Sequence, residues 1–265
     1  MNNQPVNPIR LKGKPYDFPR PEVMGILNVT PDSFFAESRK QTEYEIAQRS
    51  NEIIAEGATM IDIGACSTRP GSSPVSEEEE MNRLRNSLKI VRQEQPEAIL
   101  SIDTFRPKVA QMCVEEFGAD IINDISEGDR EMYEMVGKLQ VPYILMSTGA
   151  TTEEVSSFFS NKIIDLEEAG CNDIILDPGY GFGKDVQQNY DIMAQQESFL
   201  HFNRPLLVGI SRKRLIWQLL NITPEEALNG TTAVNVLALL HGANILRVHD
   251  VRQAVETIKI VEACS

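Results

Sequence analysis

No stretch of the 265-residue chain reaches the roughly 18 consecutive apolar residues that a membrane-spanning helix needs. The opening residues, Met1-Asn-Asn-Gln-Pro-Val-Asn-Pro8, lack the apolar core of a secretory signal. A cytoplasmic protein with no membrane partner is therefore expected. The four cysteines, Cys66, Cys113, Cys171 and Cys264, are scattered without a CxxC pair. They read as reduced thiols, not as a disulfide framework or a zinc site. Basic residues are scarce: 25 Lys and Arg face 39 Asp and Glu, a formal net charge of −14. That field argues against nucleic acid as a partner, and an anionic ligand would need local cations to receive it. No GxGxxG follows the first apolar run, which counts against a dinucleotide-binding sheet.

What is present is a repeated pattern. At 42% hydrophobic and 24% charged residues, the chain has ample material for a substantial core. Eight apolar, strand-like runs occupy residues 23–30, 59–64, 98–104, 120–125, 141–146, 173–178, 205–211 and 243–250. Helical spacing separates them. Ile46, Ala47, Ile53 and Ile54 mark a helix over 42–57, with Gly57 as its C-cap. Ser76 and Glu79 form a helix start, and the acid run Glu77–Glu80 reads as a solvated first turn. Pro107 suits the first turn of another helix, and a last helix is expected around 251–263. Strands alternating with helices give parallel strands with crossovers, and eight units point to a closed barrel. The expectation is an α/β protein, a single-domain (β/α)8 TIM barrel over 21–265. Residues 1–20 form a short N-terminal arm, with a hairpin closing the bottom of the domain.

In such a barrel the carboxyl ends of the strands share one rim, where active sites lie. The runs carry polar groups at or near those ends: Asn28, Asp62, Asp103, Asn123, Asp177, Ser211 with Lys213, and Arg247 with His249. Buried polar groups without partners cost several kcal/mol, roughly 2–7 depending on the reference, so so many at one rim imply use. Asp103, Asn123, Asp177 and Lys213 suit a flat, nitrogen-rich heterocycle with ring N–H donors and a carbonyl. Asn28, Arg247 and His249 suit phosphate or diphosphate.

These residues sit in motifs that resemble one family. Met24-Gly-Ile-Leu-Asn-Val-Thr-Pro-Asp-Ser-Phe34 is followed in order by Ser67-Thr-Arg-Pro-Gly71, Ser101-Ile-Asp-Thr104 and Ile122-Asn-Asp124. Leu176-Asp-Pro-Gly-Tyr-Gly-Phe-Gly-Lys184, Gly209-Ile-Ser-Arg-Lys213 and Arg247-Val-His-Asp250 complete the set. The set resembles the dihydropteroate synthases, pterin-binding enzymes of folate synthesis. The resemblance implies condensation of 6-hydroxymethyl-7,8-dihydropterin diphosphate with 4-aminobenzoate to 7,8-dihydropteroate and diphosphate. It assigns Asp103, Asn123, Asp177, Lys213, Met146 and Phe182 to the pterin, and Asn28, Arg247 and His249 to the diphosphate. It gives Thr68, Arg69, Pro70, Phe34 and Ser211 to aminobenzoate, and Mg²⁺ to Asn28. Lys213, Arg247, His249 and Arg69 would carry the catalysis. The partners implied are the small-molecule substrates, with no nucleic acid and no membrane, and a homodimer, with apolar residues around 224–240 and 251–262 as contacts. The loops after the first two strands are expected to close over the site.

Three stretches depart from the family's usual pattern. The first loop reads Ser33-Phe-Phe-Ala-Glu-Ser-Arg39, without the usual aspartate in register, leaving Glu37 as a stand-in. Cys66 stands where a carboxylate is usual, and Met146-Ser-Thr-Gly149 lacks a histidine. A pterin-dependent methyltransferase domain and a non-catalytic pterin-binding paralogue remain as alternatives.

Overall fold

The computed structural model describes residues 6–29, 36–65 and 75–264, with the backbone alone for 36–41. An antiparallel hairpin comes first, β1 (Ile9–Leu11) against β2 (Lys14–Tyr16). Ile9, Leu11 and Phe18 are buried in one cluster with Met24, Met60, Ile121, Ile144 and Ile245, residues near the starts of barrel strands. The hairpin thus plugs the floor, the end opposite the polar rim.

The barrel strands are β3 (Glu22–Asn28), β4 (Met60–Gly64), β5 (Ile99–Asp103), β6 (Ile121–Asp124), β7 (Tyr143–Met146), β8 (Ile174–Asp177), β9 (Leu207–Val208) and β10 (Ile245–Val248). They form one parallel sheet in the order β8-β7-β6-β5-β4-β3-β10-β9. A parallel bridge between Leu176 and Leu206 joins the two edges, and the Leu176 N–H donates to the Pro205 carbonyl at 2.8 Å. The expected (β/α)8 barrel is therefore the observed one. β9 is much shorter than the apolar run around it. Pro205 has no N–H to give the ladder, and a turn closed by Lys213 N–H on the Ile210 carbonyl (3.1 Å) ends the strand early.

The helices are α1 (Ala36–Ala55), α2 (Glu77–Glu94), α3 (Pro107–Phe117), α4 (Arg130–Leu139), α5 (Thr152–Glu168), α6 (Val186–Ala194), α7 (Arg214–Leu220), α8 (Leu228–Leu240) and α9 (Val251–Ala263), with a 3₁₀ turn at Gln196–Phe202. Their starts follow local chemistry. Ser76 Oγ accepts the Glu79 N–H at 3.2 Å, Pro107 opens α3, and Asp185 with Gln188 forms a reciprocal cap on α6. α1 begins six residues before the expected position 42; residues 37–41 are polar and offer no apolar period to mark the extra turns in sequence. The helices pack their apolar faces on the outer surface of the sheet, which supplies the main core.

One expectation fails. Glu77, Glu78 and Glu79 reach solvent, but Glu80 is fully buried. Helix α2 turns it inward, where its carboxylate accepts from Thr104 Oγ1 at 2.7 Å and pairs with Arg106. Cys113 and Cys171 are buried free thiols and Cys264 is an exposed one. Among the described residues no helix is long and apolar enough to cross a membrane.

Candidate active site

Strand register places the polar residues in rows. Asn28 pairs with Gly64, Gly64 with Asp103, and Asp103 with Asn123, so one level of the rim carries three of the expected residues. Met146 pairs with Asp177 on the adjoining strands. Six strands arranged this way bring two amides and two carboxylates to the rim by strand register alone.

Below that row lies a buried hub. Asp62 is fully buried on β4 and accepts from Ser101 Oγ at 2.6 Å, Asn123 Nδ2 at 3.1 Å and Arg247 Nε at 2.7 Å. The same guanidinium reaches Asp103 Oδ2 with Nη2 at 2.9 Å. Arg247 therefore stands between the heterocycle set and the phosphate set, and the two halves expected from sequence share one cation. Two carboxylates on one guanidinium are in electrostatic tension. Loss of water raises Asp103 to about 7; Arg247 opposes the rise, and Asp62, Asp124 and Glu80 add to it. Burial alone would lower Arg247, but the Asp62 and Asp103 carboxylates outweigh it and hold it firmly protonated. Asn123 is buried, its amide nitrogen donates to Asp62, and its Oδ1 has no partner among the described residues.

The glycine-rich turn after β8 forms the opposite wall. Asp177 Oδ1 accepts the Gly179 N–H at 2.8 Å. Burial raises its carboxyl, with Lys213 countering. Lys213, the residue before α7, donates to the Tyr180 carbonyl at 2.6 Å and sits 4.2 Å over the Phe182 ring. Desolvation brings its ammonium down to about 7, with Asp177 resisting and Arg247 and Lys184 adding to the fall. Gly179 adopts φ +67, and a Cβ there would lie 2.0 Å from the Ser147 carbonyl oxygen. Met146 is fully buried beside this turn, while Phe182 remains partly open.

His249 marks the third side. Its Nδ1 lies 3.1 Å from Ser211 Oγ, and its backbone N–H donates to the same hydroxyl at 3.2 Å. Partial desolvation at the rim, then the charges of Arg247, Arg212 and Arg49, draws the imidazole down to about 4, so it is neutral near pH 7. Arg212 is held away by a two-pronged pair with Asp250, at 2.8 and 2.9 Å. Asn28 and His249 line one cavity of about 460 Å³ together with Arg49, whose Nη2 donates to the His249 carbonyl at 2.6 Å.

The structure thus gathers Asn28, Asp103, Asn123, Met146, Asp177, Phe182, Ser211, Lys213, Arg247 and His249 at one end of the barrel. Phe34, Thr68, Arg69, Pro70 and Cys66 lie outside the described residues, as do the side chain of Glu37 and the expected closure of the two loops. Three contributors carried no sequence signal of their own: Arg49, the Glu80–Arg106 pair, and the role of Asp62 as hub. Lys184 was visible only as the end of a motif. Asp124, which neighbours Asn123, is used internally by Tyr143 and Ser126.

A (β/α)8 barrel with carboxylates, an open buried amide oxygen and two cations at its mouth is the architecture of a small-molecule enzyme. The sequence signature described as pterin binding enzyme matches residues 24–249, and the chain belongs to that family. Its relatives place it among the dihydropteroate synthases. It is 40% identical over 268 residues to the dihydropteroate synthase of Escherichia coli (strain K12), covering 95% of this chain and 94% of the relative. The structure of Xanthomonas albilineans dihydropteroate synthase with 4-aminobenzoic acid superposes with a TM-score of 0.90 at 34% identity, covering 98% of both chains. Dihydropteroate synthase from Clostridium difficile in the presence of pteroic acid gives a TM-score of 0.86 at 33% identity, over 93% of this chain and 97% of the other.

Proposed function

We propose that the chain joins 6-hydroxymethyl-7,8-dihydropterin diphosphate to 4-aminobenzoate, releasing 7,8-dihydropteroate and diphosphate. The observation that carries this reading is Asn123 Oδ1, buried at the mouth and without a partner among the described residues. An unmet buried acceptor costs about 1–3 kcal/mol, and an N–H of the pterin is the group that would satisfy it. The second oxygens of Asp103 and Asp177 can take further N–H groups, and Lys213 can donate to the pterin carbonyl or a ring nitrogen. Phe182, already under the Lys213 ammonium, supplies an apolar wall.

The diphosphate would lie toward Asn28, Arg247 and His249. A guanidinium has five N–H donors, and the two carboxylates engage only those on Nε and Nη2 of Arg247. A bound diphosphate would raise the His249 pKa and favour the protonated ring, in which both nitrogens donate. Asn28 is exposed on the cavity wall, and its amide oxygen is a hard donor of the kind Mg²⁺ accepts beside phosphate oxygens. Mg²⁺ held there would neutralise charge on the leaving diphosphate. Arg247 and His249 stabilise the same charge as the bond from the pterin methylene to oxygen breaks. The aniline nitrogen of aminobenzoate then bonds to that carbon and gives up a proton. No side-chain nucleophile is required. Thr68, Arg69, Pro70, Phe34 and Ser211 are assigned to aminobenzoate on the resemblance.

A homodimer through α7–α9 fits the exposure of Leu219, Leu237, Leu240 and Ile260. Sedimentation of the wild-type chain as a monomer at micromolar concentration would remove that part. The free cysteines suit the cytoplasm. The site itself is tested by titrating the dihydropterin diphosphate into wild-type chain and Lys213→Ala. Tight binding that the variant loses supports the reading, and equal binding in both contradicts it.

A further inference from the structure

Lys184 ends the glycine motif and is 3% exposed, yet no step above uses it. Its Nζ donates to three backbone carbonyls: Ser147 at 3.1 Å, Gly179 at 3.0 Å and Phe182 at 3.1 Å. Three donors meet three acceptors, so the ammonium is saturated. The Gly179 residue is consequently held at both ends. Its N–H goes to Asp177 and its carbonyl to Lys184, and the Phe182 N–H shares that carbonyl at 3.0 Å.

The segment cannot hold this shape by itself. Gly179, Gly181 and Gly183 all take positive φ, at +67, +82 and +64, so alternate residues bring no side chain to pack. Three carbonyl oxygens converge on one point and need a cation or several donors there. An apolar side chain of the same length would fill the space, take the Lys184 donor from the Ser147 and Phe182 carbonyls, and leave the Gly179 carbonyl with the Phe182 N–H alone.

We propose that Lys184 is a positioning residue for the pterin end of the site, holding the Gly179 and Phe182 carbonyls and thereby fixing the Asp177 carboxylate and the Phe182 ring. The inference rests on the reading of the site as a pterin site. Charge acts in the same direction as geometry. Asp177 faces Lys213, Arg247 and Lys184, each of which favours its ionised form. Lys184 in turn faces Asp177, Glu127 and Glu154. Removing the Lys184 charge leaves Asp177 harder to ionise.

The test compares wild type, Lys184→Met and Lys184→Arg in steady-state turnover and in dihydropterin diphosphate binding across pH 5 to 8. Lys184→Met is expected to raise the pterin KM by about tenfold or more, the span of a lost hydrogen bond to a charged group. The aminobenzoate KM should stay within about twofold of wild type, as independent sites behave. The acid limb of pterin affinity should move to higher pH, which loss of packing alone would not do. Lys184→Arg keeps the charge but cannot place three donors at the same points. It should therefore weaken pterin binding with the acid limb unmoved, and it carries the test if Lys184→Met does not fold. An unchanged pterin KM in a folded variant, or equal losses for both substrates, overturns the proposal. A wild-type chain that makes no dihydropteroate would instead contradict the functional reading on which it rests.

Discussion

Arg247 Nη2 lies 2.9 Å from Asp103 Oδ2, and this pair joins the last barrel strand to the third across the mouth. With its Nε on Asp62 at 2.7 Å, Arg247 is the cation on which the buried polar layer closes. Arg247→Ala should therefore cost stability as well as turnover. It leaves Asp62 fully buried without its charge partner, a change worth about 3–5 kcal/mol. Urea unfolding of the two chains measures it. Arg247→Lys keeps the charge but loses the fork, and should fold while turning over at least about tenfold more slowly.

Asn123 acts through hydrogen bonds alone, without a charge. Its Oδ1 contributes nothing to the unliganded fold that a partner would report. Asn123→Ala should lower stability by about 1–3 kcal/mol through the lost hydrogen bond to Asp62 Oδ2, which keeps Arg247, and the lost volume. Calorimetric titration should show pterin affinity reduced by about ten- to a hundredfold, the range for a lost buried hydrogen bond. Retained affinity would mean that the pterin does not use this oxygen.

Asp103 makes the barrel sensitive to pH. Its folded-state value is raised from 3.8 to about 7, chiefly by loss of water. Between those values the folded chain holds a proton that the unfolded chain has released. The stability from this group is fully present below about 3.8 and is lost as pH rises to about 7. Urea midpoints for wild type and Asp103→Asn should show wild type losing ground to the variant over that window. Parallel curves would place the titration elsewhere.

Gly179 and Gly118 separate backbone strain from collision. Both have positive φ, +67 and +62, but a Cβ at Gly118 meets nothing within 4 Å while one at Gly179 meets the Ser147 carbonyl at 2.0 Å. Gly118→Ala should cost about 1 kcal/mol. Gly179→Ala should cost about 3 kcal/mol or more, because the turn carrying Asp177 must move. Thermal unfolding compares them, and equal costs would mean that the turn yields freely.

The barrel was legible because each strand is buried on both faces and so reads as an apolar run ending in polar residues. The row from Asn28 to Asn123 was legible for the same reason, since parallel register brings strand ends together. Long-range pairing was not. Nothing local marks Glu80 for burial, because the group that draws it inward, Arg106, is on another element. Asp62 could be seen inside its strand, but its three partners come from β5, β6 and β10. The long approach of α1 to His249 through Arg49 spans 200 positions and has no sequence pattern at all.

The most direct measurement of the central claim is turnover. Purified chain would be mixed with Mg²⁺, 6-hydroxymethyl-7,8-dihydropterin diphosphate and 4-aminobenzoate, and dihydropteroate and diphosphate followed together. The account predicts both products in equal amounts, with Lys213→Ala and Arg247→Ala reduced by at least about a hundredfold, the scale of a lost charge-stabilising group. Pterin binding without product, or product formation unaffected by both substitutions, would contradict it.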